Sequence, residues 1–122
     1  MTAKYPIKVA FIEGKMDSGG KKTLTMQYFL NFDSAKVEVH FICDSDSNAV
    51  PVEEIERHGG HVHIIAPYQN ILKNMSELEA LFRSERFDVL HAFNSTMNVF
   101  PLHVAKKCGI PVRISESLSM AN

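Results

Sequence analysis

The sequence predicts an α/β fold, with one parallel five-stranded sheet in the strand order 3-2-1-4-5 and helices on both faces. Three observations lead there. Short runs rich in β-branched and aromatic residues alternate with longer segments of helical periodicity. The connections are short, and repeated strand–helix–strand units with right-handed crossovers leave few topologies. The length of 122 residues suits one domain of ordinary size with its own core.

The first strand, residues 7–12 (IKVAFI), has the near-continuous apolar character of a strand buried on both faces. Residues 14–20 form a turn-rich loop. A helix comes next, with Leu24, Met26, Tyr28, Phe29 and Leu30 on a broad apolar side. Ser18 is placed to cap that helix through its hydroxyl. Gly19 and Gly20 then fall in the first turn, where the lack of a Cβ lets another molecule approach the backbone. Free N–H groups and the positive end of the helix dipole favour an anion there, and Lys21 and Lys22 add charge of the same sign. The two glycines also serve a plain tight turn, and both readings stand at this point. Neither the dinucleotide fingerprint nor a Walker A loop is present, because the spacing of Gly14, Gly19, Gly20 and Lys21 fits neither.

Residues 31–35 make a polar turn. In residues 36–43, Val37, Val39 and Phe41 oppose Glu38, His40 and Ile42, which predicts a strand with one face better buried. Residues 44–48 are a polar loop. Pro51 suits the first position of a short helix carrying Val52 and Ile55, and Gly59-Gly60 ends it. Residues 61–65 are the third strand. Residues 71–85 are the clearest amphipathic helix, with Ile71, Met75, Leu78 and Phe82 at helical spacing and Asn70 as its cap. Residues 88–93 are the fourth strand. The next helical pattern spans residues 95–108, and Pro101 inside it requires a late start or a kink. Gly109 and Pro111 stop it, and residues 112–115 are the fifth strand.

This strand order puts the switch point between the first and fourth strands. Ligands of open α/β sheets bind there, outside the carboxyl ends of the strands. The loops at residues 14–20 and 92–97 meet at that place. His91, Asn94 and Ser95 are therefore candidates to contact a polar ligand; equally, His91 fits a buried hydrogen-bonded position, and Asn94 or Ser95 a helix cap.

Composition narrows the function classes. The chain is 45% apolar and 22% charged with a formal net charge of −1, a globular profile too balanced for a dedicated nucleic-acid binder. No apolar run approaches the roughly 20 residues of a membrane span. The first residues lack the layout of a signal peptide. Cys43 and Cys108 have no metal-like spacing, and reduced thiols in the cytoplasm are the expectation. His61 and His63 would project from one face of a strand, but with His58 they have no cysteine nearby and no acid following at a useful spacing, so surface or edge-strand histidines and no metal are expected there. Asp44 and Asp46 stand where dinucleotide folds hold a ribose, but without the glycine fingerprint they read as a solvated loop. No nucleophile elbow is present. A receiver domain would need clustered acids after the first strand, where Glu13 stands alone, and an aspartate after the third, where Ile65-Ala66-Pro67 stands.

Three stretches carry a resemblance. They are the first strand with Gly19-Gly20, FDVLHAFNS at residues 87–95, and AKKCGIPVRISES at residues 105–117. In that order and spacing the chain resembles, over almost its whole length, the N-terminal domain of retaining glycosyltransferases of the GT-B architecture in glycosyltransferase family 4. The family often has a second histidine where Phe93 stands, and many members have a histidine pair where this chain has Glu116 and Leu118. The resemblance implies a three-layer α/β/α Rossmann-like domain. Residues 1–122 would then be a partial, acceptor-side domain, lacking the C-terminal nucleotide-sugar domain. The parent chain is expected to be a retaining, hexosyltransferase-type enzyme without metal or other cofactor. Its substrates would be a nucleotide-sugar and a glycan or lipid-linked acceptor of cell-surface polysaccharide synthesis. Its expected location is the cytoplasm, with peripheral contact at the inner membrane face allowed. The resemblance implies donor-phosphate contacts at Gly19, Gly20 and Lys21. It implies acceptor or sugar contacts at His91, Asn94, Ser95 and Glu116. The alternative is a free-standing nucleotide- or phosphate-binding α/β module. For a trimmed domain, the fifth strand is expected to be an exposed edge that supports self-association.

Overall fold

The computed structural model describes residues 5–17 and 19–117. The elements run β1 (Ile7–Gly14), α1 (Gly20–Asn31), β2 (Val37–Asp44), α2 (Val52–Arg57), β3 (His61–Ile65), α3 (Ile71–Glu85), β4 (Val89–Ala92), α4 (Val99–Lys107) and β5 (Val112–Ser115). The five strands form one sheet in the order β3-β2-β1-β4-β5, and every pairing is parallel. The expected α/β fold and strand order are therefore observed. Among the described residues, no helix is long and apolar enough to cross a membrane.

The alternation of side chains sorts the core into two layers. On one face Ala10, Ile12, Ile42 and Leu90 meet Leu78 and Phe82 of α3 and Val104 of α4. On the other, Val9, Phe11, Phe41 and Phe93 meet Met26 and Phe29 of α1 and Ile55 of α2. Phe11 and Phe41 touch edge to face with ring centroids 5.4 Å apart, and Phe29 meets Phe41 in the same way at 5.2 Å. Such pairs add to the burial of the rings themselves. Cys43 is buried and Cys108 half-buried, and both are free thiols.

Several boundaries differ from the sequence-based expectation, for local reasons. β1 runs on through Glu13 and Gly14, because Glu13 packs between the end of the strand and α1 instead of leaving for solvent. Pro51 precedes the first helical residue of α2 rather than being it. Asn70 stands at the cap position of α3 without a side-chain cap bond; its carbonyl accepts the Asn74 N–H at 2.9 Å. The Asn74 side chain donates to the Ala66 carbonyl at 2.7 Å, and Glu77 accepts the Ala66 N–H at 2.8 Å, so α3 holds the end of β3. The last helix starts late, as Pro101 requires. A 3-10 turn over Ser95–Asn98 leads into α4, and Pro101 sits in its first turn, where a missing N–H costs no helical bond.

Candidate functional site

β1 and β4 lie side by side at the switch point, and the segments just beyond their carboxyl ends are tied to each other. The Phe93 N–H donates to the Ile12 carbonyl at 3.1 Å. Gly14 has a left-handed φ of 64°, and a Cβ there would lie 2.2 Å from Asn94 Nδ2. Only glycine lets the Asn94 amide sit against this turn. Lys21, one residue into α1, turns inward. Its ammonium donates to the Glu13 carbonyl at 2.5 Å and to Asn94 Oδ1 at 3.0 Å. It therefore ties the two loops together, and burial holds it below its ordinary pKa despite Glu13 nearby. Lys15, Lys21, Tyr68, Asn94 and Met97 line a groove of about 240 Å³ beside this tie. That is below the roughly 300 Å³ at which small-ligand pockets begin.

Gly19 is the cap residue of α1, with φ 150°, and its carbonyl accepts the Thr23 N–H at 3.1 Å. Ser18, the expected cap, lies outside the described residues. Among the described residues, a Cβ at Gly19 or Gly20 would meet nothing within 4 Å, so none of them covers the backbone at the helix start. No acidic side chain stands in the first turn of α1 to offset the dipole.

The residues expected to contact sugar fall into two groups. His91 and Glu116 come together: His91 Nε2 lies 2.8 Å from Glu116 Oε1. Tyr28 donates its hydroxyl to Glu116 Oε2 at 3.1 Å, which raises the phenol above its ordinary pKa. The His91 ring stacks on Phe93 at 4.1 Å and on Tyr28 at 6.0 Å. A carboxylate on Nε2–H fixes the tautomer and leaves the lone pair of a neutral ring on Nδ1. Phe93 thus stacks on the histidine that precedes it by two positions. Ser95 reaches Ser117, with hydroxyls 3.2 Å apart, beside this group. Asn94 instead belongs with Lys21 and the groove.

Three contributors had a weak signal or none in the sequence. Tyr28 reads as part of an apolar helix side, and nothing there reports its reach to Glu116. Asn98, 1% exposed, accepts the Asn94 N–H at 2.6 Å and donates to the Ala92 carbonyl at 3.1 Å and the Ser115 hydroxyl at 2.9 Å. It joins the ends of β4 and β5. Glu13 is fully buried; Thr25 donates to its Oε1 at 3.2 Å, and Oε2 has no hydrogen-bond partner among the described residues. Burial pushes its pKa up to about 7, with Lys21 and the Thr25 hydroxyl pulling the other way.

Asp44 corrects the expectation of a solvated loop. It is buried at the end of β2, accepts the Tyr68 N–H at 3.2 Å, and burial raises its pKa. Asp46 does lie nearer solvent and pairs with Lys15. The histidines separate. His58 leans on Phe29 and lies within hydrogen-bond distance of the Glu54 carbonyl, while His61 and His63 start β3 on the other face of the sheet. No protein-family model matches this chain, and no curated protein sequence matches it.

Proposed function

We propose that this chain is the acceptor-side half of a retaining glycosyltransferase with the GT-B architecture, in glycosyltransferase family 4. Such an enzyme moves sugar from a nucleotide-sugar donor to a cell-surface polysaccharide or glycolipid acceptor. One observation carries this reading. At the carboxyl end of the sheet, an uncovered helix start at Gly19-Gly20 and a polar cluster of His91 and Glu116 flank the same pair of strands. The backbone N–H groups of Gly19 and Gly20 would hold the donor diphosphate. Lys21 would keep the two loops in register and lend its charge. His91, oriented by Glu116, and Asn94 and Ser95 would bind sugar or acceptor hydroxyls. The transfer itself would use no metal. The small groove fits a half-site: it has room for a phosphate or one sugar ring and not for a whole nucleotide-sugar.

The isolated chain is expected to bind UDP only weakly. Open N–H groups and a dipole end contribute on the order of 1 kcal/mol each at such a site, against about 4 kcal/mol for millimolar and about 8 kcal/mol for micromolar affinity. Titration with UDP should shift the amide signals of Gly19, Gly20 and Lys21 in the millimolar range. Unmoved signals would remove the anion site. Transfer also needs the leaving diphosphate and the attacking hydroxyl in one geometry, which half a cleft does not provide. Sugar transfer by the isolated chain with any nucleotide-sugar would overturn the half-enzyme reading. The alternative, a free-standing phosphate-binding module, is favoured if UDP shifts the glycine amides while no acceptor oligosaccharide ever moves the His91 ring signals.

We also infer that β5 mediates self-association. All four of its residues are exposed at the sheet edge, Val112 and Ile114 at 47% and 41%. An uncovered apolar edge is a template for another strand. Light scattering should show mass rising with concentration, and Ile114→Lys should suppress the rise. A strict monomer at high concentration would count against the inference.

A further inference from the structure

The opposite end of the sheet holds a second polar cluster, formed by residues far apart in the chain. Along β2, Glu38 and His40 share a face; along β3, His61 and His63 share that same face. The parallel register sets His40 beside His61 and Ile42 beside His63. The His40 ring stacks on His61 at 4.4 Å and on His63 at 5.1 Å. His40 Nε2 lies 2.6 Å from Glu38 Oε2, and His61 Nε2 lies 3.8 Å from the same oxygen. On its other side, His40 Nδ1 lies 2.8 Å from His63 Nε2.

We propose that Glu38, His40 and His61 form a zinc site, with Glu38 Oε2, His40 Nε2 and His61 Nε2 as the three protein ligands. One ligand atom from each of the three residues lies within 4.8 Å of the other two. Tetrahedral zinc with bonds of about 2.0–2.1 Å spaces its ligand atoms by roughly 3.3 Å, and the separations of 2.6 and 3.8 Å from Glu38 lie on either side of that value. The donor set of two imidazoles and one carboxylate is one that zinc takes. His40 is almost fully buried (side chain 3% exposed), so its ring is held by packing. His61 is half exposed, so its ring can turn out of the near-parallel stack on His40 to aim Nε2 at the ion, and this exposure also gives an entry path and a fourth position for water. His63 serves as the orienting partner on the second nitrogen of His40, the role such hydrogen-bonded neighbours commonly fill. The competing trio of His40, His63 and Glu85 is the poorer one, because the Lys8 ammonium lies 2.8 Å from Glu85 and already occupies its carboxylate. Binding needs the Nε2 lone pair of a neutral His40: its one ring proton then sits on Nδ1 and is donated to His63 Nε2, while Glu38 coordinates as the carboxylate, so no net proton is lost.

The site lies at the amino-terminal ends of β2 and β3, remote from the glycine loop, and does not depend on the proposed transferase function. The test uses the whole chain without a histidine tag, stripped with chelator and titrated with zinc chloride by calorimetry at neutral pH. One zinc per chain is expected. His61→Ala should weaken binding at least 30-fold and Glu38→Gln about 10-fold, and His58→Ala, on the other face, should leave it unchanged. Cobalt(II) in place of zinc should give the strong visible absorption of a tetrahedral site, lost in His61→Ala. His61 is exposed, so its removal should leave folding intact, and an unchanged circular-dichroism spectrum would check this. No saturable binding at one per chain, or equal affinity in His61→Ala, would overturn the proposal. So would loss of binding in Glu85→Gln with Glu38→Gln unaffected.

Discussion

Replacing Glu13 with glutamine is expected to stabilise this chain at pH 8 and to leave its stability near pH 4 almost unchanged. Glu13 is fully buried, and its pKa rises from 4.5 to about 7 on folding. The native state therefore holds a proton that the unfolded chain releases near pH 4.5. Stability from this group is complete below that pH and is lost as pH climbs through 7, after which the loss is constant. The shift corresponds to about 3 kcal/mol. Glutamine keeps the shape and the acceptor for Thr25 but cannot ionise. Lys21, Cys43 and Asp44 are the charged or titratable neighbours: Lys21 opposes the shift, and burial beside Glu13 and Asp44 pushes the Cys43 thiol up to about 12. Urea unfolding of both proteins at several pH values isolates Glu13, because every other group is common to the pair. Equal pH slopes would sink the claim. The consequence reaches the proposed site. A neutral Glu13 leaves the Lys21 ammonium uncompensated at the loop where an anion is expected.

The legible part of the fold is the part that periodicity encodes. Period 3.6 in α3 reports which side of the helix is buried, and α3 and β5 match their expected bounds to the residue. The alternation in β2, by contrast, predicts one better-buried face, and the strand is buried on both from Val39 to Asp44. The strand order comes from short connections and crossover handedness. Periodicity says nothing of which residues stand abreast on neighbouring strands. His61 and His63 are visible as a pair within one strand, but His40 and Glu38 join them only through register. The meeting of Tyr28, His91 and Glu116 likewise spans 88 positions and needs the closed fold. Buried acids are the other blind spot. Asp44 and Glu13 are polar letters at strand ends, where leaving for solvent is the ordinary expectation, and only the packing of Tyr68 and Thr25 against them reverses it.

Gly14→Ala is expected to destabilise the chain by about 2–3 kcal/mol, in two separable parts. The first is backbone strain. At φ 64° an L-residue with a Cβ costs about 1–2 kcal/mol whatever surrounds it. The second is the Asn94 side chain, whose three amide atoms are the nearest neighbours of the added Cβ, at 2.2–2.8 Å. Asn94 must move away, and Lys21 then loses the 3.0 Å bond that ties α1 to the loop after β4. A hydrogen bond of this kind is worth about 1 kcal/mol. In an Asn94→Ala background that second part is already gone, so Gly14→Ala should then cost only the strain. Unfolding of the four proteins of this cycle should return a coupling of about 1 kcal/mol. Additive effects, within about 0.3 kcal/mol, would mean that Gly14 and Asn94 do not act as one unit. The coupling has a functional counterpart. If the tie positions the glycine loop, either single substitution should weaken the UDP-induced shifts at Gly19 and Gly20, and the double variant should weaken them no further. Unchanged shifts in both single variants would leave the tie structural and detach it from the proposed phosphate site.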